Sequence, residues 1–201
     1  MIETLFYKNR YVLATTDRTS GGNSDADIML YDKPPGDVFN YLENKRNKDI
    51  LTKRVEASHT SIAVARRDGE IVGTSWLLIP QKIVWHDKIA VRPGEALLFD
   101  ASVDPDYRRQ GIYSDLHSAR VEKSLSEKAD VVLTVVESAN KASLKANRDL
   151  GMKLLSVNHL VKFFGVNFLS VERGGREYTT VQIDVPSIPQ LKRRILDTCR
   201  V

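Results

Sequence analysis

Between Val103 and Tyr113 the chain reads Val-Asp-Pro-Asp-Tyr-Arg-Arg-Gln-Gly-Ile-Tyr, and these residue types at this spacing suit anion binding. An apolar run, Ala96-Leu97-Leu98-Phe99, leads into it through Asp100-Ala101-Ser102, and a segment of helical character, Ser114 to Lys128, follows. A strand, a basic glycine-containing turn and a helix in that order make a phosphate cradle. The turn presents backbone N–H groups, the helix N-terminus adds partial positive charge, and arginines neutralise the anion. Gly111, with no side chain, lets the backbone approach a ligand closely. The ligand this arrangement implies is a pyrophosphate.

The patterning gives an alternating α/β chain that can carry such a turn. Thr4 to Asp17 reads as extended with a turn at Lys8-Asn9-Arg10, and Arg18 to Asp27, rich in Ser, Gly and Asp, reads as a mobile loop. Pro34-Pro35-Gly36 is a hard stop, and Asp37 is placed to cap a helix bearing Val38 and Leu42. Ile50, Leu51 and Val55 continue that pattern after the polar run Glu43 to Asp49. Ser61 to Ala65 and Ile71 to Ile79 flank Asp68-Gly69, a strong hairpin signal. Ile83 to Val91 adds a strand, and Ala96 to Val103 is the strand feeding the cradle. A helix over Gly111 to Lys128, a strand over Asp130 to Val136, a helix over Asn140 to Leu150 and a long strand over Lys153 to Phe168 follow. Arg173-Gly174-Gly175-Arg176 turns into a last strand, Tyr178 to Val185, and Pro186-Ser187-Ile188-Pro189 leads into a short basic C-terminal helix.

Composition sets bounds. The 201 residues suit one domain, with an N-terminal elaboration over 1–59, a core over 60–170 and a tail over 171–201. Apolar content of 42% and charged content of 28% describe an ordinary globular protein. No apolar run approaches a membrane span, and the N-terminus lacks the pattern of a signal peptide, so a cytoplasmic location with no membrane partner is expected. The single cysteine, Cys199, cannot form an internal disulfide, which suits a reducing compartment. No His, Cys, Asp and Glu cluster has metal-ligand spacing, so no metal is expected. The net charge of +4 is spread, and the clusters at Lys45-Arg46-Asn47-Lys48 and Lys192-Arg193-Arg194 read as solvated helix faces rather than a nucleic-acid surface. His117 reads as a surface residue of the cradle helix, while Trp85-His86-Asp87 reads either as an edge strand or turn or as placing His86 at a ligand pocket.

The cradle resembles the core motif of the GNAT superfamily of acyl-CoA-dependent N-acyltransferases: Arg or Gln, two residues, Gly, one residue, then Gly or Ala, announced by V-x-P-x-Y-R. Val103, Pro105, Tyr107, Arg108 and Gly111 fall in register, and Tyr113 departs from the small residue usual at the end. A second block, Asn140-Lys-Ala-Ser143-Leu-Lys-Ala-Asn147-Arg-Asp-Leu-Gly151-Met152, resembles the downstream signature of that superfamily, one helix and one strand later. The resemblance covers about residues 60 to 170. It implies a mixed, mostly antiparallel central sheet flanked by helices, with two splayed strands forming a CoA cleft. It also implies acetyl-CoA as cosubstrate. The backbone of Ala101, Ser102 and Val103 would pair with the pantetheine arm. The turn of Arg109, Gln110, Gly111, Ile112, Tyr113 and Ser114 would hold the pyrophosphate with Arg108 as charged partner, and Asn140, Ser143 and Asn147 would line the other wall.

Acetyl transfer needs a neutral amine, a polarised thioester carbonyl, a held oxyanion and a departing thiolate. A backbone N–H near Val103 can serve the carbonyl and the oxyanion. Asp100, three residues before Val103, lies where members of the superfamily often carry an acidic residue facing the acceptor, and Glu137 at the end of the following strand is the second carboxylate. Many members place a Tyr seven residues after the motif Asn to protonate the thiolate; here that position is Asn147, which has no proton to give at neutral pH. Either the thiolate leaves without side-chain acid help, or another group such as Tyr113 or water supplies the proton. The acceptor is expected to be a small-molecule amine, such as an amino sugar, an amino acid or a polyamine, bound among the loops Arg18 to Pro35, Ile79 to Glu95 and Val166 to Tyr178. Phe163, Phe164 and Phe168 could reshape the cleft for a longer acyl chain. A homodimer is compatible with all of this. Two rival readings stand beside it: a CoA-binding module without catalysis, and a protein or nucleic-acid binder using the basic terminal helix.

Overall fold

Asp68 and Gly69 adopt φ of 50° and 83°, the left-handed pair that a two-residue hairpin turn demands. They join two of the strands on which the cradle helix rests. The computed structural model describes residues 6–45, 47–57, 59–86, 89–163, 166–173 and 176–180. In chain order its elements are β1 (Phe6–Thr15), β2 (Asp27–Tyr31), α1 (Gly36–Glu43), α2 (Lys48–Glu56), β3 (Thr60–Arg67), β4 (Glu70–Leu78), β5 (Val84–His86), β6 (Ile89–Val91) and β7 (Glu95–Val103). After a 3-10 turn at Pro105–Tyr107 come α3 (Ile112–Ser126), β8 (Val131–Glu137), α4 (Lys141–Asp149), β9 (Lys153–Phe163), β10 (Val166–Arg173) and β11 (Arg176–Thr180). The chain divides into two compact units.

One unit, Ala14–Val135 with Lys145–Lys153, contains strands in the order β8-β7-β4-β3-β2. β2, β3, β4 and β7 pair antiparallel, and β7 pairs β8 in parallel, the mixed, mostly antiparallel sheet that the sequence implied. β3 is buried from Thr60 to Ala65 because helices cover both of its faces. Ile62 and Val64 pack with Val38, Leu42, Leu51 and Trp76 under α1 and α2. Ala63 and Ala65 pack with Val72, Ile112 and Leu116 under α3. Small residues let α3 come close: a Cβ added to Gly73 would lie 3.1 Å from Leu116 Cδ1 and 3.3 Å from Ile112 Cγ2.

The polar run after Glu43 does divide two helices, and Asn47 caps the second, accepting from the N–H of Asp49 at 2.9 Å and of Ile50 at 3.4 Å. Asp37 is not a cap. Pro35 holds the cap position of α1 with no side-chain bond, and Asp37, one residue inside the helix, pairs with Arg66. Ile50, one of the apolar residues that continue the helical pattern, is 51% exposed. The strand expected over Ile83 to Val91 is a hairpin of two short strands, Val84 opposite Val91.

The other unit holds the described residues among Met1–Leu13, Val136–Leu144 and Leu154–Val201, with strands in the order β11-β10-β9-β1. The long strand expected over Lys153 to Phe168 is two strands, since β10 pairs back on β9 with Val166 opposite Phe163 and Glu172 opposite Val157. Apolar patterning runs through both, and the lone Gly165 was the signal that a turn divides them. Arg173 opposite Arg176 starts the pairing of β10 with β11. Phe164, the rest of the expected last strand beyond Thr180, the basic C-terminal helix and Cys199 lie outside the described residues.

His117 is a clear correction. A one-and-a-half-turn offset from the start of α3 suggested a surface position, yet His117 has no exposed surface and shares the interior with Arg120, which is 1% exposed. Both its ring nitrogens lack hydrogen-bond partners among the described residues. Burial, aided by the nearby Arg120 charge, pushes the imidazole down to about 3 from its ordinary 6.5. Arg120 donates from Nε to the Leu116 carbonyl at 2.9 Å and from a terminal nitrogen to the Trp76 carbonyl at 3.1 Å. Burial lowers its guanidinium to about 10, still protonated at neutral pH.

Below pH 6.5 the unfolded chain takes up a proton at His117 that the folded chain refuses until about pH 3. The stability at stake is fully present above the unfolded value and falls by about 1.4 kcal/mol per pH unit below it. Thermal unfolding between roughly pH 6.5 and 4.5 is therefore expected to show the wild type losing Tm more steeply than a His117→Phe variant. Parallel curves would mean that the folded chain protonates this ring.

Candidate functional site

β7 and β8 run in parallel register from Glu95 opposite Val131 to Leu98 opposite Thr134. There the Thr134 hydroxyl donates to the Leu98 carbonyl at 3.0 Å and the ladder ends, while β7 continues to Val103. Along its other edge, Phe99 lies opposite Trp76 and Ser102 opposite Thr74, so three steps on β7 match two on β4. That is a β-bulge, and Asp100 within it takes a left-handed φ of 48°. Beyond the bulge, the edge of β7 turned away from β4 carries backbone groups suited to pairing with an extended, amide-bearing ligand arm. Ala101 and Ser102 are exposed there, and Val103 is half-buried.

The cradle follows directly. Asp104 donates its N–H to the Val72 carbonyl at 2.8 Å, and the 3-10 turn carries the chain to Arg109 and Gly111, with φ of 63° and 84°. The Asp115 N–H, donating to the Gly111 carbonyl at 3.1 Å, is the first bond of α3. The amides of Ile112, Tyr113 and Ser114 consequently have no acceptor inside the helix. Three donors and the helix dipole suit a pyrophosphate. Arg108, Arg109 and Gln110 are exposed beside them. Arg108 Nε donates to the Val103 carbonyl at 3.1 Å, and Gln110 donates to the Asp106 carbonyl at 3.2 Å while accepting from Arg67. These two side chains brace the turn.

Arg18 to Asp27, read from sequence as a mobile loop, is seated along α3. Thr19 Oγ1 donates to Ser118 Oγ at 3.3 Å, Ser24 donates its N–H to Asp115 at 3.1 Å, and Arg18 pairs with Glu122 at 3.7 Å. A Cβ on Gly22 would sit 2.5 Å from the Gly111 carbonyl oxygen, and one on Gly111 would sit 3.3 Å from the amide nitrogens of Asn23 and Ser24. The Gly and Ser content that suggested mobility is what allows backbone to lie on backbone. Gly111 is thus required twice, by its φ and by the segment that approaches it.

Tyr113 and Asn147, the two departures from the family pattern, meet: the Tyr113 hydroxyl donates to Asn147 Oδ1 at 3.1 Å, with Asn147 buried. In the other unit, Asn140 caps α4 by accepting the Ser143 N–H at 3.0 Å. Glu137 is exposed at the end of β8.

Asp100 lines a cavity of about 320 Å³ with Leu42, Lys45, Thr74, Trp76 and Ser102. Its carboxylate pairs with Arg54 of α2. The Arg54 guanidinium lies 5.7 Å from the Trp76 ring centre and 5.3 Å from that of Phe99, within cation–π range. The His86 ring packs 4.2 Å from that of Phe99. Lys45 donates to the Tyr41 hydroxyl at 2.7 Å and to Asp104 at 3.2 Å. Its ammonium is held above its ordinary range, the Tyr41 hydrogen bond contributing most and outweighing burial.

The structure brings Asp100, Ala101, Ser102 and Val103 onto one strand end, Arg108 to Ser114 into one turn, and Tyr113 against Asn147. Sequence reasoning missed Arg54, Lys45 and Trp76. An Arg in the last turn of a helix and a Trp in an apolar strand carry no local signal of a pocket, and Lys45 was read as part of a solvated cluster.

Residues 28–152 match the Acetyltransferase (GNAT) family, more than half of the 201-residue chain. No curated protein sequence matches the chain. Among solved structures, an aminoglycoside N-acetyltransferase in complex with CoA is similar at a TM-score of 0.52 and 18% identity, covering 63% of this chain and 91% of that one. A conserved protein of unknown function from Staphylococcus epidermidis is similar at 0.54 and 14% identity, covering 78% and 62%. A Drosophila protein is similar at 0.56 and 11% identity, covering 82% and 53%. At these identities the structures speak for the fold, and the family match together with the motifs speaks for the chemistry. The chain belongs to the GNAT acetyltransferase family and is an N-acetyltransferase that uses acyl-CoA.

Proposed function

We propose that the protein transfers an acetyl group from acetyl-CoA to the primary amine of a small molecule, by direct attack in a ternary complex within the cytoplasm. The observation that carries this reading is the continuity of the β7 edge, the cradle and the cavity at Asp100: one strand end has an unpaired edge beyond the β8 ladder and a cavity beside it. Acetyl-CoA supplies a thioester carbonyl open to attack and a thiolate that can leave. Ala101, Ser102 and Val103 pair their backbone with the extended arm, and a Val103 amide donor steadies the developing oxyanion. Arg108 and Arg109, with the amides of Gln110, Gly111, Ile112, Tyr113 and Ser114, hold the pyrophosphate. Asp100 receives the amine and takes its proton.

The Tyr113 hydroxyl rests with its proton on Asn147 Oδ1 at 3.1 Å; rotation about its C–O bond turns that proton to the departing thiolate, and a proton shed by the amine replaces it. The acid is therefore on α3 rather than α4. Tyr113→Phe is expected to lower kcat about 100-fold and leave KM for acetyl-CoA within a few-fold, as read by thiol release. Unchanged kcat would remove Tyr113 from the reaction.

Because Gly111 has a φ of 84°, any side chain there strains the fold, so cofactor binding is better tested on exposed residues. Reversing Arg108 and Arg109 together to Glu should weaken acetyl-CoA binding at least about tenfold in calorimetry, with the circular dichroism spectrum unchanged. Equal affinity in wild type and variant would place the pyrophosphate elsewhere, and no binding by the folded wild type would remove acetyl-CoA as the donor.

A further inference from the structure

The charges around the acceptor cavity come in matched pairs. Among the described residues, Asp100 is paired with Arg54 and Asp104 with Lys45, so two carboxylates face two cations where a polycationic acceptor would need an excess of negative charge. The two wall charges have opposite sign: Asp100 and Lys45 both line the cavity, with the Thr74 and Ser102 hydroxyls beside them. Lys45 is the one of the two cations free enough to meet a ligand. Its side chain is 43% exposed, against 22% for Arg54, which lies over the Trp76 and Phe99 rings. An ammonium carries three donors, and the described contacts of Lys45 use two, on Tyr41 and Asp104.

Resting on the acetyltransferase reading above, we propose that the acceptor is a zwitterion of the amino-acid type, its ammonium held at Asp100 and its carboxylate at Lys45, and that Lys45 selects it against amines without a carboxylate. The cavity of about 320 Å³ lies at the small end of the range for ligand pockets, which suits a molecule of this size. In the reaction a C–N bond replaces the C–S bond of the thioester. Of the two protons the ammonium loses, one ends on the thiol and the other leaves through Asp100 to water.

The test is thiol release from acetyl-CoA with a panel of α-amino acids, their methyl esters and spermidine, on wild type, Lys45→Gln and Lys45→Glu. The best amino acid should exceed its ester by about 10- to 100-fold in kcat/KM. That gap should close in Lys45→Gln and invert in Lys45→Glu, while KM for acetyl-CoA stays constant. Equal use of acid and ester, or a preference for spermidine, overturns the zwitterion and leaves the acetyltransferase standing. If no amine is acetylated, calorimetry of amino acid and ester on the same three proteins reads the cavity directly. Tighter binding of the acid that Lys45→Gln abolishes supports the proposal, and equal binding overturns it.

Discussion

Between Phe99 and Ser102, β7 carries one residue more than the stretch of β4 opposite, and the chain absorbs the excess by turning Asp100 to a φ of 48°. In a regular strand Phe99 and Asp100 would point to opposite faces. Here Arg54, reaching down from α2, touches both. The bulge thus moves a carboxylate onto the face covered by α1 and α2, where the cavity is. It also lies just past the last rung between β7 and β8, so the strand end that holds Asp100 on one side offers an unshared backbone edge on the other. A bulge interrupts the ladder and bends the strand at once, which is why the cavity at Asp100 and the unpaired edge of β7 adjoin.

Holding such a kink requires support from below. Arg120, buried in α3, donates to the carbonyl of Trp76, the residue of β4 opposite Phe99 at the kink. An arginine in that interior needs its charge spread over carbonyl dipoles, and it receives two, Leu116 and Trp76. α3 can reach the sheet because Ala63, Ala65 and Gly73 lie beneath Ile112 and Leu116. The same helix presents its first amides to the cradle, so packing of small residues far from any ligand sets the height of the anion site above the strand.

The segment from Thr15 to Asp27, which precedes the family match at residue 28, adds a layer over the start of α3. It is laid on the helix start by Ser24, Thr19 and the contact of Gly22 with Gly111. The Tyr113 and Asn147 pair lies by that helix start, two departures from the motif pattern that stand 34 residues apart along the chain and join in one hydrogen bond.

Much of this was legible beforehand. The Asp68-Gly69 turn, the strand ending at Val103, the αL residue at Gly111 and the helix after it all follow from local conformational preference, which acts within a few residues. The two motif blocks, bound to that local structure, carried the family and the acyl-CoA chemistry. Patterning failed where burial depends on what covers a face: His117, read as a surface residue, is interior, and a continuous apolar run hid the reversal between β9 and β10. Register against a neighbouring strand is a long-range property, so no local signal could show that Asp100 turns toward Arg54, that Lys45 borders the same cavity, or that Tyr113 meets Asn147. The sequence by itself determined the elements, the anion turn and the reaction class. The tertiary structure alone decided which charges border the cavity at Asp100, because a one-residue bulge and the close seating of α3 bring together side chains from α1, α2, β4 and β7 that lie far apart along the chain.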